Sequence, residues 1–134
     1  MNVNLKGMFF CCKGAVAVML GNGGGSIVAI GSALSLVAEP HAAAYCTSKS
    51  GALNLVRSIA TDSGRNNIRA NCVCPGYIDT PLNDRYFQQQ TDPVAARQAA
   101  AESSPLGKSA TSTKSPNVCR FWPARKRVLS PVRP

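Results

Sequence analysis

The sequence predicts an α/β chain built on a parallel sheet, and three observations carry that expectation. Two short runs rich in β-branched and small apolar residues, 26–31 (Ser-Ile-Val-Ala-Ile-Gly) and 68–74 (Ile-Arg-Ala-Asn-Cys-Val-Cys), are bounded by turn formers, as buried strands are. Two longer segments, 4–20 and 43–63, have the length and composition of helices. The resulting order is helix–strand–helix–strand, and strands joined by an intervening helix pair in parallel.

Each element has its own reason. Residues 4–20 are apolar almost throughout, broken by Lys6 and Lys13. This pattern predicts a helix buried on more than one side, with Gly7 and Gly14 permitting close packing. Gly21-Asn22-Gly23-Gly24-Gly25 ends that helix with a flexible turn. The cluster precedes a strand and lacks a following Lys-Ser/Thr, so it reads as a turn and not as a phosphate loop. Residues 33–42 form a loop containing Pro40 and His41, the latter expected to be solvent-exposed. In 43–63 the small and apolar residues Ala44, Ser48, Gly51, Ala52, Leu55 and Ile59 recur at helical spacing, with Asp62-Ser63-Gly64 near the end. Pro75-Gly76 stops the second strand. Residues 83–104 are polar and alanine-rich, helical in part.

Composition narrows the class. A chain of 134 residues is one domain's worth, and 45% apolar content fits a soluble globular protein. No run of 18 apolar residues occurs, and no small-residue cleavage site follows the apolar N-terminus. Neither a membrane span nor a secretory signal is expected. The net charge of +9 is concentrated at one end: residues 105–134 hold seven Lys/Arg and no acid, against eight Lys/Arg and six acids in 1–104. The basicity thus belongs to a tail, 108–134, rich in Pro and Arg and read as disordered. Arg120-Phe121-Trp122-Pro123-Ala124-Arg125 interleaves aromatic and basic residues as single-strand binders do, but sits in no recognisable module, so a nucleic-acid partner is disfavoured. The six cysteines contain no CxxC pair and His41 is the single histidine. The expectation is therefore reduced thiols in a cytoplasmic protein and no metal site.

The chemistry is concentrated between Ser32 and Lys49. Tyr45 and Lys49 are four apart, so on a helix they lie on one face, separated by a rise of roughly 5.4 Å. A nearby ammonium favours the phenolate form of tyrosine. Such a residue can give or take a proton, as carbonyl reduction and alcohol oxidation require.

Asn4, Ser32, Tyr45 and Lys49, followed by Pro75-Gly76-Tyr77-Ile78-Asp79-Thr80, resemble the second half of the short-chain dehydrogenase/reductase family. Ser32 lies thirteen residues before Tyr45, Pro75 thirty after it, and Asn4 forty-one before it in an Asn-Leu-x-Gly-x-Phe setting. These spacings are similar to the family's, over roughly residues 1–107. The resemblance implies a partial Rossmann-like, doubly wound parallel sheet. It implies NAD or NADP as cofactor and a small-molecule carbonyl or secondary alcohol as substrate. Tyr45 would be the general acid/base and Lys49 would bind the nicotinamide ribose. Ser32 would polarise the substrate oxygen, and Asn4 would anchor a relay water from within a helix. Pro75, Gly76, Ile78 and Thr80, with Tyr45 and Lys49, would contact the cofactor. A homo-oligomer, dimer or tetramer, is implied through the helices at 4–20 and 43–63, with no membrane partner.

Two departures accompany the match. The Thr-Gly-x-x-x-Gly-x-Gly turn that cradles the dinucleotide in such enzymes does not occur in the sequence. That departure makes a truncated, non-catalytic remnant the alternative expectation. Ser104-Pro105-Leu106-Gly107-Lys108 resembles a family segment that leads into a helix and strand, but here the acids vanish and Pro and Arg accumulate. The composition change near Lys108 is what a shift of reading frame would produce; resequencing tests it, since one alternative frame should restore an apolar helix and strand.

Overall fold

The parallel pairing expected from the element order is present. In the computed structural model, which describes residues 1–102 and the pair 110–111, β1 (Gly25–Ile30) and β2 (Ile68–Val73) run side by side with Gly25 opposite Ile68 and Ile30 opposite Val73. The helix joining them, α2 (Ala43–Ser63), covers the sheet, so the chain is α/β as expected. The described residues fall into two compact units, one spanning Met1–Cys74 and the other starting at Pro75.

The core of the first unit follows from α2. Ser48, Ala52 and Val56 recur every four residues along this helix and are all buried, Ala52 completely. Small residues on that stripe let the helix sit close to the strands, and Ile68 at the start of β2 fills the space beneath it at 1% exposure. Burying a side chain of that size contributes about 1.5–3 kcal/mol. Gly51 faces a different neighbour. A Cβ there would stand 2.9 Å from Leu5 Cδ1, so the close approach between the N-terminal helix and α2 is made at Gly51. The expectation placed it at Gly7 and Gly14; Gly14 has nothing within 4 Å of a built Cβ, and Gly7 meets only the Asn2 carbonyl at 3.5 Å.

The N-terminal helix differs from its expectation in burial. A π-helical segment, Asn2–Gly7, passes directly into α1 (Met8–Gly21). Only Cys12 of α1 is buried, while Phe9, Phe10, Val18 and Leu20 are exposed. Its apolar residues are spread around the whole circumference, and α2 and the sheet reach one side alone. By length and composition Asn2–Gly21 would also reach across a bilayer, although Lys6 and Lys13 interrupt its apolar surface.

The glycine cluster is a turn, as expected. Gly23 and Gly24 take positive φ angles of 79° and 126°. Gly24 has no alternative, because a Cβ would fall 2.5 Å from the Asn67 carbonyl oxygen. Asn67, itself left-handed at φ 60°, donates from its side chain to the Gly23 carbonyl and accepts at its own carbonyl from Gly25 N. This junction starts the two strands flush.

In the second unit, Thr80 caps α3 (Pro81–Gln88) by accepting from Asn83 N, with Pro81 in the first helical position. A second helix, α4 (Pro93–Glu102), packs on α3 through an Arg97–Asp84 ion pair at 2.6 Å and Arg97 stacked 5.1 Å from the Phe87 ring centroid. The described part of the segment 83–104 is thus helical in two pieces, broken near Gln89–Asp92. The short strands β3 (Ile78–Asp79) and β4 (Ala110–Thr111) pair in parallel. The latter lies inside the tail expected to be irregular; the rest of that tail, with Ser104-Pro105-Leu106-Gly107-Lys108, lies outside the described residues.

Candidate active site

The site is assembled where β1 ends. Beyond Ile30 the chain passes through Gly31, which donates to the Val73 carbonyl at 2.7 Å, and reaches Ser32 in extended conformation. Ser32 begins a single turn of 3₁₀ helix, Ala33–Ser35, and is its cap. Its Oγ accepts from Leu34 N at 3.2 Å, and its own N–H donates to Ser35 Oγ at 3.0 Å. Ser35 is buried, and its hydroxyl donates onward to the Lys49 carbonyl at 2.9 Å. Ser50 Oγ returns a bond to the Ser35 carbonyl at 3.1 Å. The loop bearing Ser32 is therefore laced to α2 at the residue that carries the ammonium.

Lys49 is held at both ends. Its carbonyl takes the Ser35 bond, and its Nζ donates to the Ile30 carbonyl at 3.0 Å, at the end of β1. The same Nζ lies 5.8 Å from the centroid of the Tyr45 ring. The four-residue spacing thus does what helical geometry requires, bringing phenol and ammonium to one face. Tyr45 is 43% exposed, accessible to a molecule approaching from solvent.

Asn4 reaches this group from the π-helical segment. Its amide stands 3.5 Å from Ser48 Oγ, and Ser48 donates to the Tyr45 carbonyl at 2.8 Å. The structure accordingly brings Asn4, Ser32, Tyr45 and Lys49 into one unit, connected through Ser35 and Ser48. Ser35 carries no sequence expectation, and Ser48 is expected only as a small residue of the helical stripe. Ser32-x-x-Ser35 does carry the spacing of a capping box, and that signal was available.

Pro75, Gly76, Ile78 and Thr80 belong to the second unit. Gly76 is exposed, with open space where a Cβ would stand. Ile78 pairs with Ala110, and its carbonyl accepts from Asn83 Nδ2 at 2.6 Å. Thr80 is occupied as the α3 cap. His41 is exposed in its loop, with a left-handed backbone at φ 59°.

A parallel strand pair covered by its crossover helix, with polar side chains gathered at the carboxyl ends of the strands, is the arrangement of the open α/β folds. The comparisons with known proteins agree. A family model described as "Enoyl-(Acyl carrier protein) reductase" matches residues 1–122. A 2-(R)-hydroxypropyl-CoM dehydrogenase of Xanthobacter autotrophicus is 44% identical over 99 residues, covering 72% of this chain and 40% of that protein. An NAD+-bound xylitol dehydrogenase superposes with a TM-score of 0.83 at 29% identity, over 89% of this chain and 50% of that one. A gluconate 5-dehydrogenase from Burkholderia cenocepacia, in complex with NADP and tartrate, gives a TM-score of 0.74 at 31% identity, over 83% and 42%. The chain belongs to the short-chain dehydrogenase/reductase family, with its Rossmann-like α/β fold. It spans about half or less of the length of the relatives it matches.

Proposed function

We propose that this chain carries the proton-transfer half of an oxidoreductase acting on a small-molecule carbonyl or secondary alcohol. The observation that supports it most is Lys49: one ammonium is tied to the Ile30 carbonyl at the strand end and stands 5.8 Å from the Tyr45 ring. Tyr45 gives the proton to the carbonyl oxygen in reduction and takes it from the hydroxyl in oxidation. The Ser32 hydroxyl leaves its loop bond to Leu34 N and polarises the same oxygen. Asn4 acts behind them through Ser48.

The residues fit one end of a nicotinamide cofactor, NAD or NADP. The Lys49 ammonium and Tyr45 phenol are donors of the kind that hold a ribose, at the carboxyl end of a parallel sheet where such ligands bind. By the family resemblance alone, Pro75, Gly76, Ile78 and Thr80 contact the same cofactor. When bound, the cofactor supplies or accepts the hydride. Phe9 and Phe10 on the N-terminal helix border an apolar groove against Gly51 and Leu55 of α2. Homo-oligomerisation through these helices is part of the reading, as is a cytoplasmic setting.

Tyr45→Phe is the test. Where the protein turns over a carbonyl substrate with NADH or NADPH, the variant should lose about 10²–10⁴-fold in rate, read from nicotinamide absorbance. Retained turnover would overturn the role of Tyr45. A second reading is a non-catalytic remnant of such an enzyme that neither binds a dinucleotide nor turns over substrate. Titrating the chain with NADH or NADPH and following cofactor fluorescence separates the two, since micromolar binding excludes the second.

A further inference from the structure

Two thiols stand together beside the site and take no part in the proposed chemistry. Cys72 lies in β2 opposite Ala29, and Cys74 follows just beyond the strand end. Residues two apart on extended backbone share a face, and here their sulfurs are 3.9 Å apart. Both are half-buried and both converge on Gly31. A Cβ built there would lie 2.8 Å from Cys72 Sγ, 3.0 Å from Cys74 Sγ and 2.9 Å from Ser35 Oγ. Gly31 is thus the backbone position that makes room for the pair.

The separation decides what the pair can do. A disulfide needs its sulfurs at about 2.05 Å, so the two would have to close by nearly half their distance while anchored on one stretch of extended chain. Two sulfurs bonded to one common atom at about 2.3 Å stand about 3.8 Å apart at a tetrahedral angle and about 3.4 Å apart at the narrower angle of a pyramidal three-coordinate centre. The observed 3.9 Å lies about half an ångström from the pyramidal chelate spacing and far from a sulfur–sulfur bond, so a shared atom asks for the smaller movement. Among the described residues no three His, Cys, Asp or Glu side chains converge, so this is a two-donor site. Two donors suit a thiophilic centre with two open valences and its third already filled.

We propose that Cys72 and Cys74 form a vicinal-dithiol site that captures monosubstituted trivalent arsenicals as a cyclic dithioarsenite. The arsenical R–As=O takes both thiol hydrogens. Two S–H bonds and the arsenic–oxygen double bond break, two As–S bonds form, and one water leaves, with no change of oxidation state. This inference does not rest on the oxidoreductase reading. The acid–base character of the pair is consistent with it. Burial, and then its neighbour Cys74, push the Cys72 thiol up to about 11, which makes it a poor nucleophile toward peroxides and disulfides. A thiophilic centre displaces the proton on binding, so chelation does not need a free thiolate beforehand. The chelate would stand against Gly31 and Ser35, the residues that lead to Ser32 and anchor Lys49.

The test uses phenylarsine oxide with the reduced full chain, read by intact mass and by peptide mapping. One adduct per chain is expected, lighter by one water than protein plus reagent and mapped to the peptide holding Cys72 and Cys74. It should be removed by 2,3-dimercaptopropanol and should survive an equal concentration of a monothiol. Cys74→Ser should weaken retention at least tenfold, and the double variant Cys11→Ser, Cys12→Ser should leave it unchanged. An adduct mapping to Cys11, Cys12 or Cys119 in the unaltered protein overturns the proposal whether or not the variants fold. So does a Cys72–Cys74 disulfide formed readily with diamide in a protein that takes up no arsenical.

Discussion

The two long helices of the first unit make opposite use of their sequences. The N-terminal helix is apolar on nearly every side, yet α1 buries only Cys12 and presents Phe9, Phe10, Val18 and Leu20 to the outside. The helix α2 is far less apolar, yet it buries five residues, holds the sheet beneath it and carries Tyr45 and Lys49. What separates them is arrangement. The stripe Ser48, Ala52 and Val56 lets α2 approach the strands, while Ser48 bonds back to the Tyr45 carbonyl of its own helix and Ser50 reaches the Ser35 carbonyl in the loop after β1. Apolar content says how much surface a segment would rather hide. The stripe says what it can hide against.

The comparison can be tested from both sides. The largest effect is expected at Ala52, fully buried on the α2 stripe. Ala52→Leu should force the helix off the sheet at a cost of about 1–3 kcal/mol, seen as a lower urea midpoint with an unchanged slope. A neutral result would mean α2 is not seated as described. Next comes Ser35→Ala, which strips a partner from both the Ser32 N–H and the Lys49 carbonyl. A loss of about 1–3 kcal/mol is expected, with Ser35→Thr recovering part of it.

The smaller effects concern pH and the outer helix. Because the folded state raises the Cys72 pKa from 9.0 to about 11, its contribution is fully present below pH 9 and is lost as pH rises through 11. Melting temperature should therefore fall over that window, and fall less in Cys72→Ala. Smallest of all is Phe10→Ser on exposed α1. Stability of the isolated chain should move by no more than about 0.5 kcal/mol. If α1 is covered by a second copy, sedimentation of the same variant should shift toward monomer. A large loss of stability without change of mass would show that α1 is packed within the chain after all.

Much of the fold was legible because local signals and tertiary outcome agree. β1 and β2 are short runs closed off by Gly24 and Gly31 on one side and by Asn67 and Pro75 on the other, and α2 has the bounds its periodicity predicts. Tyr45 and Lys49 were legible for the same reason, since helical spacing alone brings them to one face. The burial of α1 was not, because a helix apolar all round does not say which face meets a neighbour. The linking bonds of Ser35 and Ser48 were not legible either, although Ser48 itself stands out on the helical stripe. A serine's partner depends on which carbonyl the folded chain brings within 3 Å, and composition does not encode that. Cys72 and Cys74 read as ordinary buried strand thiols. Their convergence depends on Gly31, contributed by the adjacent strand.

The junction at Gly24 and Asn67 has a reach beyond the turn it builds. It is the origin from which both strands are measured, and six residues at about 3.3 Å each carry that origin roughly 20 Å to the far end of the sheet. There Ile30 offers its carbonyl to Lys49, and Val73 offers its own to Gly31. One residue added or removed on either strand would slide these two carbonyls past each other, and a change on β2 ahead of Cys72 would turn that thiol to the opposite face. The side chains gathered at one end of this sheet therefore inherit their alignment from a left-handed asparagine at the other.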